Sequence, residues 1–307
     1  MKLDIYLNIT KAHVQLFTGI DEASFERLIQ RIHPVWTSCE IQRLSCKPRM
    51  RHIGGGGKYR LGMRKLLFMY LFYCRHYVNQ YIIASLCHLN QSNVSRLFKR
   101  LEQVISQSAD PHLNTVLDKL YEERIRTGVS FAEIKMRYPG IEKVITDVTE
   151  IRCNKPKNAH DRARKFSGKR KQCSLKKQVS IAANGRILAT SRSYAGRVHD
   201  ISIERKERIL EKIPKETFQP LDLGYIGIRS TYPDHYVVIP PKKRKNRRLS
   251  RIEQDIKRSH SRERIPIEHS FSHLKRFNIL KLYRGPESRF DHVFDNIAAL
   301  HNLQITC

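Results

Sequence analysis

The sequence predicts an all-α N-terminal region followed by an α/β domain whose sheet begins antiparallel and continues parallel. Three observations predict it. Before Tyr138-Pro139-Gly140 the apolar residues recur at helical spacing, and after it they gather into short β-rich runs. Those runs read, in order, as three strands, a helix, two strands and a helix. At 307 residues the chain is long enough for about two domains, and 40% of it is apolar, enough for a real core.

Residues 1–57 read as a helical segment and a glycine-rich linker. Thr18 or Asp21 caps a helix that carries Phe25, Leu28, Ile29 and Ile32 and ends before Pro34. Gly54-Gly55-Gly56-Gly57-Lys58 does not fit a phosphate-cradling loop: Tyr59 stands where Ser or Thr is required, and no strand precedes it. It reads as a flexible linker.

Residues 58–140 hold LGMRKLLFMYLFYCRH, a largely apolar helix, then helices in VNQYIIASLCHL and SNVSRLFKRLEQVI separated by a tight turn. Ser92 is placed to cap the last of these. Val94, Leu97, Phe98, Leu101, Val104 and Ile105 then face inward, leaving Asn93, Ser95, Arg96, Lys99 and Arg100 outward. Two short helices with a tight turn and such an outer face form a helix-turn-helix pattern, the second helix entering the major groove of DNA. A plain three-helix bundle with solvated charges is the competing reading. A polar helix near Pro111–Thr127 and a connector close the region.

Residues 141–307 carry the α/β pattern. IEKVITDVTEIRC is a strand with Asp147 in its middle. KKQVSIAANG and RILATSRSYAG form a hairpin around Asn184-Gly185, and ISIERKERILEKI is an amphipathic helix. QPLDLGYIG brings Asp222 out of a short apolar run into a glycine, and HYVVIPP is a strand stopped by its prolines. KKRKNRR and a polar helix follow. The last motif, RERIPIEHSFSHLKRF, is a separate helix with Pro266 near its start. Ile267, Phe271, Leu274 and Phe277 form its stripe, and Lys275 falls within roughly 20° of Glu268 on the stripe's shoulder.

The formal charge of +29 and a pI near 10.1 call for a polyanionic partner, nucleic acid before an anionic membrane surface. Lys155 to Lys177 holds ten basic residues against one acid, Asp161, and reads as a solvated basic loop that orders on DNA. No apolar run approaches the roughly 18–20 residues of a membrane span, and MKLDIYLNIT lacks a signal peptide's apolar stretch. A cytoplasmic, nucleoid-associated protein is expected. The seven cysteines are scattered without a C-x-x-C pair, which argues against a disulfide frame or zinc site.

Chemistry points to three acids. An ionised Asp147 inside a buried strand is costly unless paired or bound to a cation. Asp222 ends a strand beside a glycine that allows close approach, and Glu268 lies on a helix shoulder. Together they can share one cleft and hold hard divalent cations such as Mg²⁺. Two ions about 3.5–4 Å apart would stabilise both oxygens of an in-line phosphoryl displacement. Asp200 competes with Asp222 as second ligand but reads equally well as a helix N-cap. Glu150 faces the other side of Asp147's strand.

D-V-T-E at Asp147, G-R-V-H-D ending at Asp200, D-L-G-Y at Asp222 and R-x₃-E-x₆-K at Arg264, Glu268 and Lys275 resemble the DDE transposases of bacterial insertion sequences, of the insertion sequence five type akin to Harbinger elements. The intervals, 222 − 147 = 75 and 268 − 222 = 46 residues, suit a compact domain without a large insertion. The resemblance implies a ribonuclease-H-like fold preceded by a helix-turn-helix. It makes Asp147, Asp222 and Glu268 the catalytic and metal-binding triad, with two Mg²⁺ ions that Mn²⁺ can replace. Arg264 and Lys275 would hold phosphates or the transposon end. The partners would be double-stranded DNA, as terminal inverted repeats and target, and a second copy of the chain. The family usually has Tyr three positions before the Arg; Ser261 stands there. The alternative expectation is a catalytically inactive DNA-binding protein derived from such a transposase.

Overall fold

The computed structural model describes residues 11–46, 52–53, 61–243 and 248–305. The glycine run at 54–57 and residues 244–247 of the basic KKRKNRR segment lie outside the described residues. The chain divides into two compact units, the first Met1–Pro111 with Lys275–Lys281 and His292–Cys307, the second His112–Leu274 with Leu282–Asp291. The division therefore falls at Pro111, where the sequence suggests Gly140, and the C-terminal segment returns to the first unit.

The first unit contains α1 (Lys11–Thr18), α2 (Glu22–Ser45), α3 (Met63–His76), α4 (Gln80–Leu86) and α5 (Gln91–Ser108). Asp21 caps α2, accepting the Ser24 N–H at 2.8 Å. The helix does not stop at Pro34 but runs through it to Ser45. Proline removes one helical hydrogen bond, and the second half is held by Glu40, which pairs with Arg43 at 2.7 Å and with Arg100 of α5 at 3.4 Å. Asn79 caps α4 through the Tyr81 N–H. Asn90, not Ser92, is the N-cap of α5, without a side-chain bond; Ser92 lies inside the first turn. The expected inward face of α5 is buried from Val94 to Ile105, and Phe98 packs edge-on against Tyr70 of α3 at 5.4 Å.

The second unit begins with α6 (Val116–Thr127) and α7 (Phe131–Arg137). The expected connector is thus a helix, started by a capping box between Ser130 and Glu133. There follow β1 (Val144–Cys153), α8 (Ala159–Lys165), β2 (Phe166–Ser167), β3 (Gln172–Ala182), β4 (Ile187–Thr190), β5 (Tyr194–Ala195), α9 (Asp200–Glu207), β6 (Gln219–Pro220), α10 (Ile228–Thr231), β7 (Val237–Val238), α11 (Arg251–Leu274) and β8 (Leu282–Tyr283). The last helix, α12 (Phe290–Ile305), lies from His292 onward in the first unit.

β1 is the centre of the sheet. It runs antiparallel to β3 from Val144↔Ala182 to Arg152↔Ser174, and β3 turns through Asn184-Gly185 into antiparallel β4. Gly185 has φ +85°, the left-handed conformation this tight turn requires. On its other side β1 meets the β6 segment through a parallel bridge, Lys143↔Phe218, and β6 pairs parallel with β7. Within its own sheet β1 also pairs parallel with β8 at Arg152↔Leu282 and Cys153↔Tyr283, so that sheet is mixed, while β6 and β7 form a separate two-stranded sheet joined to it by the bridge. Val144, Ala182, Leu188, Leu221, Tyr225 and Val237 share one buried cluster beneath it.

Two expectations change. The basic stretch from Lys155 to Lys177 is no continuous loop. It supplies α8, β2 and the start of β3, and Lys177 is fully buried with Asp291 3.2 Å away. The polar helix and the Glu268 helix are one, so Pro266 is interior rather than near a start. Buried His260, Ile267, Ser270 and Leu274 hold α11 on both sides of the proline and offset its missing bond. No helix among the described residues is long and apolar enough to cross a membrane.

Candidate active site

Asp147 stands in the middle of β1, opposite Val179 of β3. Its Oδ1 accepts the N–H of Val148 at 2.7 Å. Asp222 follows β6 and caps a single 3₁₀ turn, Leu223–Tyr225, its Oδ1 accepting the Leu223 N–H at 2.7 Å. Each acid is thus anchored by the next residue's amide.

Arg264 brings the two together. Its Nη2 donates to Asp147 Oδ2 at 2.5 Å, and its Nη1 lies 3.7 Å from Asp222 Oδ1. The arginine sits on the buried face of α11 with His260, Ile267 and Leu274, at helical spacing. That face is fixed to the sheet at two points: His260 Nε2 lies 3.1 Å from the Val238 carbonyl, and Glu263 pairs with Lys143 at 2.6 Å. Arg264 Nε is buried and has no hydrogen-bond partner among the described residues.

Burial pushes Asp147 up to about 6, opposed by Arg264 and the Val148 N–H, while Asp222 and Asp200 add repulsion. A second buried acid, Glu204 of α9, is pushed up to about 7 by burial. It accepts from Gln178 Nε2 at 2.5 Å, the Leu210 N–H at 2.9 Å and the Tyr232 hydroxyl at 3.0 Å. Both acids bind protons more tightly folded than unfolded. Their contribution to stability is therefore full below the ordinary carboxylate range and is lost as pH rises through about 6 and about 7. Melting of chelator-treated protein between pH 4 and 8 should show this, with Asp147→Asn and Glu204→Gln each flattening the profile relative to the parent. Variant profiles parallel to the parent's would refute it.

Glu268 is one turn beyond Arg264, roughly 40° further round the helix, and is exposed. Among the described residues no three His, Cys, Asp or Glu side chains are grouped so as to hold a metal ion. The structure thus joins Asp147 and Asp222 and leaves Glu268 on the rim of the same helix. α11 closes at Leu274, so Lys275 lies just past its last turn and the helical angle linking it to Glu268 does not apply. Ser261 is exposed and bonds back to the Lys257 carbonyl at 2.9 Å.

In the first unit, Asn93, Arg96 and Lys99 of α5 are exposed and Ser95 and Arg100 half-buried. Arg96 donates to Asn93 Oδ1 at 3.1 Å.

Sequence reasoning gives Arg264 to DNA and misses its place between the acids. The signal is present: Arg264 shares the spacing of His260 and Ile267, which is a buried position. Glu204 is missed too, although it falls next to Ile203 on the inner side of its helix. His199, not Asp200, is the N-cap of α9; Asp200 is its first residue.

The two joined sheets thus present two clustered aspartates beneath an arginine-bearing helix. Residues 146–302 match the DDE superfamily endonuclease family, and the chain belongs to that family. Over 309 residues it is 26% identical to a "Probable transposase for insertion sequence element IS702" from Microchaete diplosiphon, covering 99% of each chain. No solved structure matches it. The resemblance to DDE transposases of insertion sequences is borne out by both matches.

Proposed function

We propose that the protein is a metal-dependent transposase that cuts DNA at the terminal inverted repeats of its element and joins the freed 3′-OH ends to target DNA. The observation that carries this reading is the convergence of Asp147 and Asp222 on one guanidinium, within a family of DDE endonucleases. The antiparallel-then-parallel strand order about β1 supports a ribonuclease-H-like catalytic domain.

The donor set fits a hard divalent cation. A carboxylate on β1 and another just past β6 already share a positive charge, and a third, Glu268, lies one turn along the helix that supplies it. Asp147, Asp222 and Glu268 would hold Mg²⁺, with Mn²⁺ as substitute. When bound, a pair of such ions supplies the activation of water and the charge stabilisation that phosphoryl transfer needs. The chain's part is placement. The Val148 and Leu223 amides fix the two aspartates, and Arg264 offsets their mutual repulsion. No side chain need act as a covalent nucleophile.

Helix α4, its turn and α5 supply a helix-turn-helix whose exposed Asn93, Arg96 and Lys99, with Ser95 and Arg100, contact duplex DNA. The charge of +29 supports a polyanionic partner, and pairing two element ends calls for at least a homodimer. Arg96→Ala and Lys99→Ala should each weaken duplex binding and lower the salt slope by about one. Fluorescence anisotropy over a KCl series reads both. Unchanged affinity and slope would exclude α5 as the DNA-contacting helix.

The deciding experiment incubates the protein with the flanking repeats and Mg²⁺ and maps cut and joined strands. Joined product supports the transposase; cuts without joining would mark a nuclease. Binding without nicking would overturn the transposase reading in favour of a DNA-binding derivative.

A further inference from the structure

Asp200 takes no part in the reading above, yet it is firmly braced beside the site. Lys176 of β3 donates from Nζ to Asp200 Oδ1 at 2.9 Å and to the Val198 carbonyl at 2.8 Å. The other oxygen, Oδ2, lies over Gly224: a Cβ built on that glycine would stand 2.7 Å from Oδ2 and 3.3 Å from the Asp200 Cβ. Gly224 is not among the positive-φ glycines, so the site requires glycine for space rather than backbone freedom. It is the middle residue of the turn Leu223–Tyr225, which Asp222 caps. Asp200 therefore presses on the very turn that presents Asp222 to Arg264. With Oδ1 committed to a lysine and Oδ2 facing a glycine, its carboxylate is oriented as a brace.

We propose that Asp200 is a positioning residue for Asp222, holding the Leu223–Tyr225 turn against a point fixed by Lys176 on the sheet. The inference rests on the proposed role of Asp222 as a metal ligand. Rigid strand β3 sets Lys176, Lys176 sets the carboxylate, and the carboxylate sets the height of the turn. Outer partners of this kind commonly govern metal affinity through the ligand they orient.

Mn²⁺ binding, followed by electron paramagnetic resonance, and nicking of supercoiled plasmid test it in Asp200→Ala, Asp200→Asn, Gly224→Ala and the double variant Gly224→Ala/Asp200→Ala. Asp200→Ala should weaken both readouts about 10- to 100-fold. Asp200→Asn keeps the shape and a lysine acceptor and should lose far less. Gly224→Ala should fall as Asp200→Ala does, because the methyl collides with Oδ2. The double variant should bind Mn²⁺ better than Gly224→Ala alone, since truncating the aspartate makes room. Asn as damaging as Ala would mean that the charge at Asp200, not its place against the turn, governs the site, and would overturn the proposal. So would a double variant no better than Gly224→Ala. If Asp200→Ala does not fold, Asp200→Asn and Gly224→Ala still decide, the first sparing Mn²⁺ binding and the second weakening it. Asp222→Asn is the control: unaltered Mn²⁺ binding there would sink the reading of the site itself, not the brace.

Discussion

Asp147→Asn is expected to abolish DNA cutting while leaving DNA binding intact. The loss should exceed about 100-fold, since even the outer partners of metal ligands reach that figure. The substitution keeps the side chain's size and its oxygen for the Val148 amide, but removes the charge that a divalent cation needs. The metal-free protein should respond in the opposite sense. A rise from 3.8 to about 6 means that keeping Asp147 ionised at pH 8 costs the fold roughly 3 kcal/mol. A neutral amide in its place removes that cost, so the variant should melt higher than the parent in chelator at pH 8 and no higher at pH 4. Plasmid nicking, end-binding anisotropy and calorimetry measure the three quantities. Persistent cutting with Mg²⁺ present would remove Asp147 from the mechanism.

Arg264→Gln should make the protein's stability depend on divalent cations. The guanidinium is the counter-charge to two acids, and its side chain is only 13% exposed. Removing one partner of such a buried pair commonly costs about 3–5 kcal/mol, because charge is left uncompensated. At pH 8 the variant should therefore unfold well below the parent. Two remedies should act: lowering the pH to 5, which protonates Asp147, and adding Mn²⁺, which replaces the lost positive charge. Scanning calorimetry with and without Mn²⁺ gives the comparison. An equal shift by Mn²⁺ in parent and variant would mean that the cation binds away from the acids Arg264 spans.

Much of this is legible in the sequence because it depends on local pattern. The β-rich run around Asp147, the Asn184-Gly185 turn and the apolar face of α5 are short-range signals, and each produces the expected element. Prolines mislead. Pro34 and Pro266 read as a stop and a start, yet both are interior to long helices: the Glu40 ion pairs beyond Pro34 and buried residues on both sides of Pro266 offset one missing hydrogen bond. The basic stretch misleads through composition: two of its lysines belong to a buried strand, where Asp200 and Asp291 neutralise them. In the candidate site the acids are found by residue type and spacing. Arg264 between them is not, because a pairing 117 positions apart leaves no periodic trace.

Helix α11 has one further consequence. At 24 residues it is a rod of roughly 36 Å, and it carries Arg264 and Glu268 one turn apart. The two side chains cannot be steered separately by that rod. Any roll about its axis sweeps a cation and an anion past the aspartates through the same angle, like adjacent lobes on a camshaft.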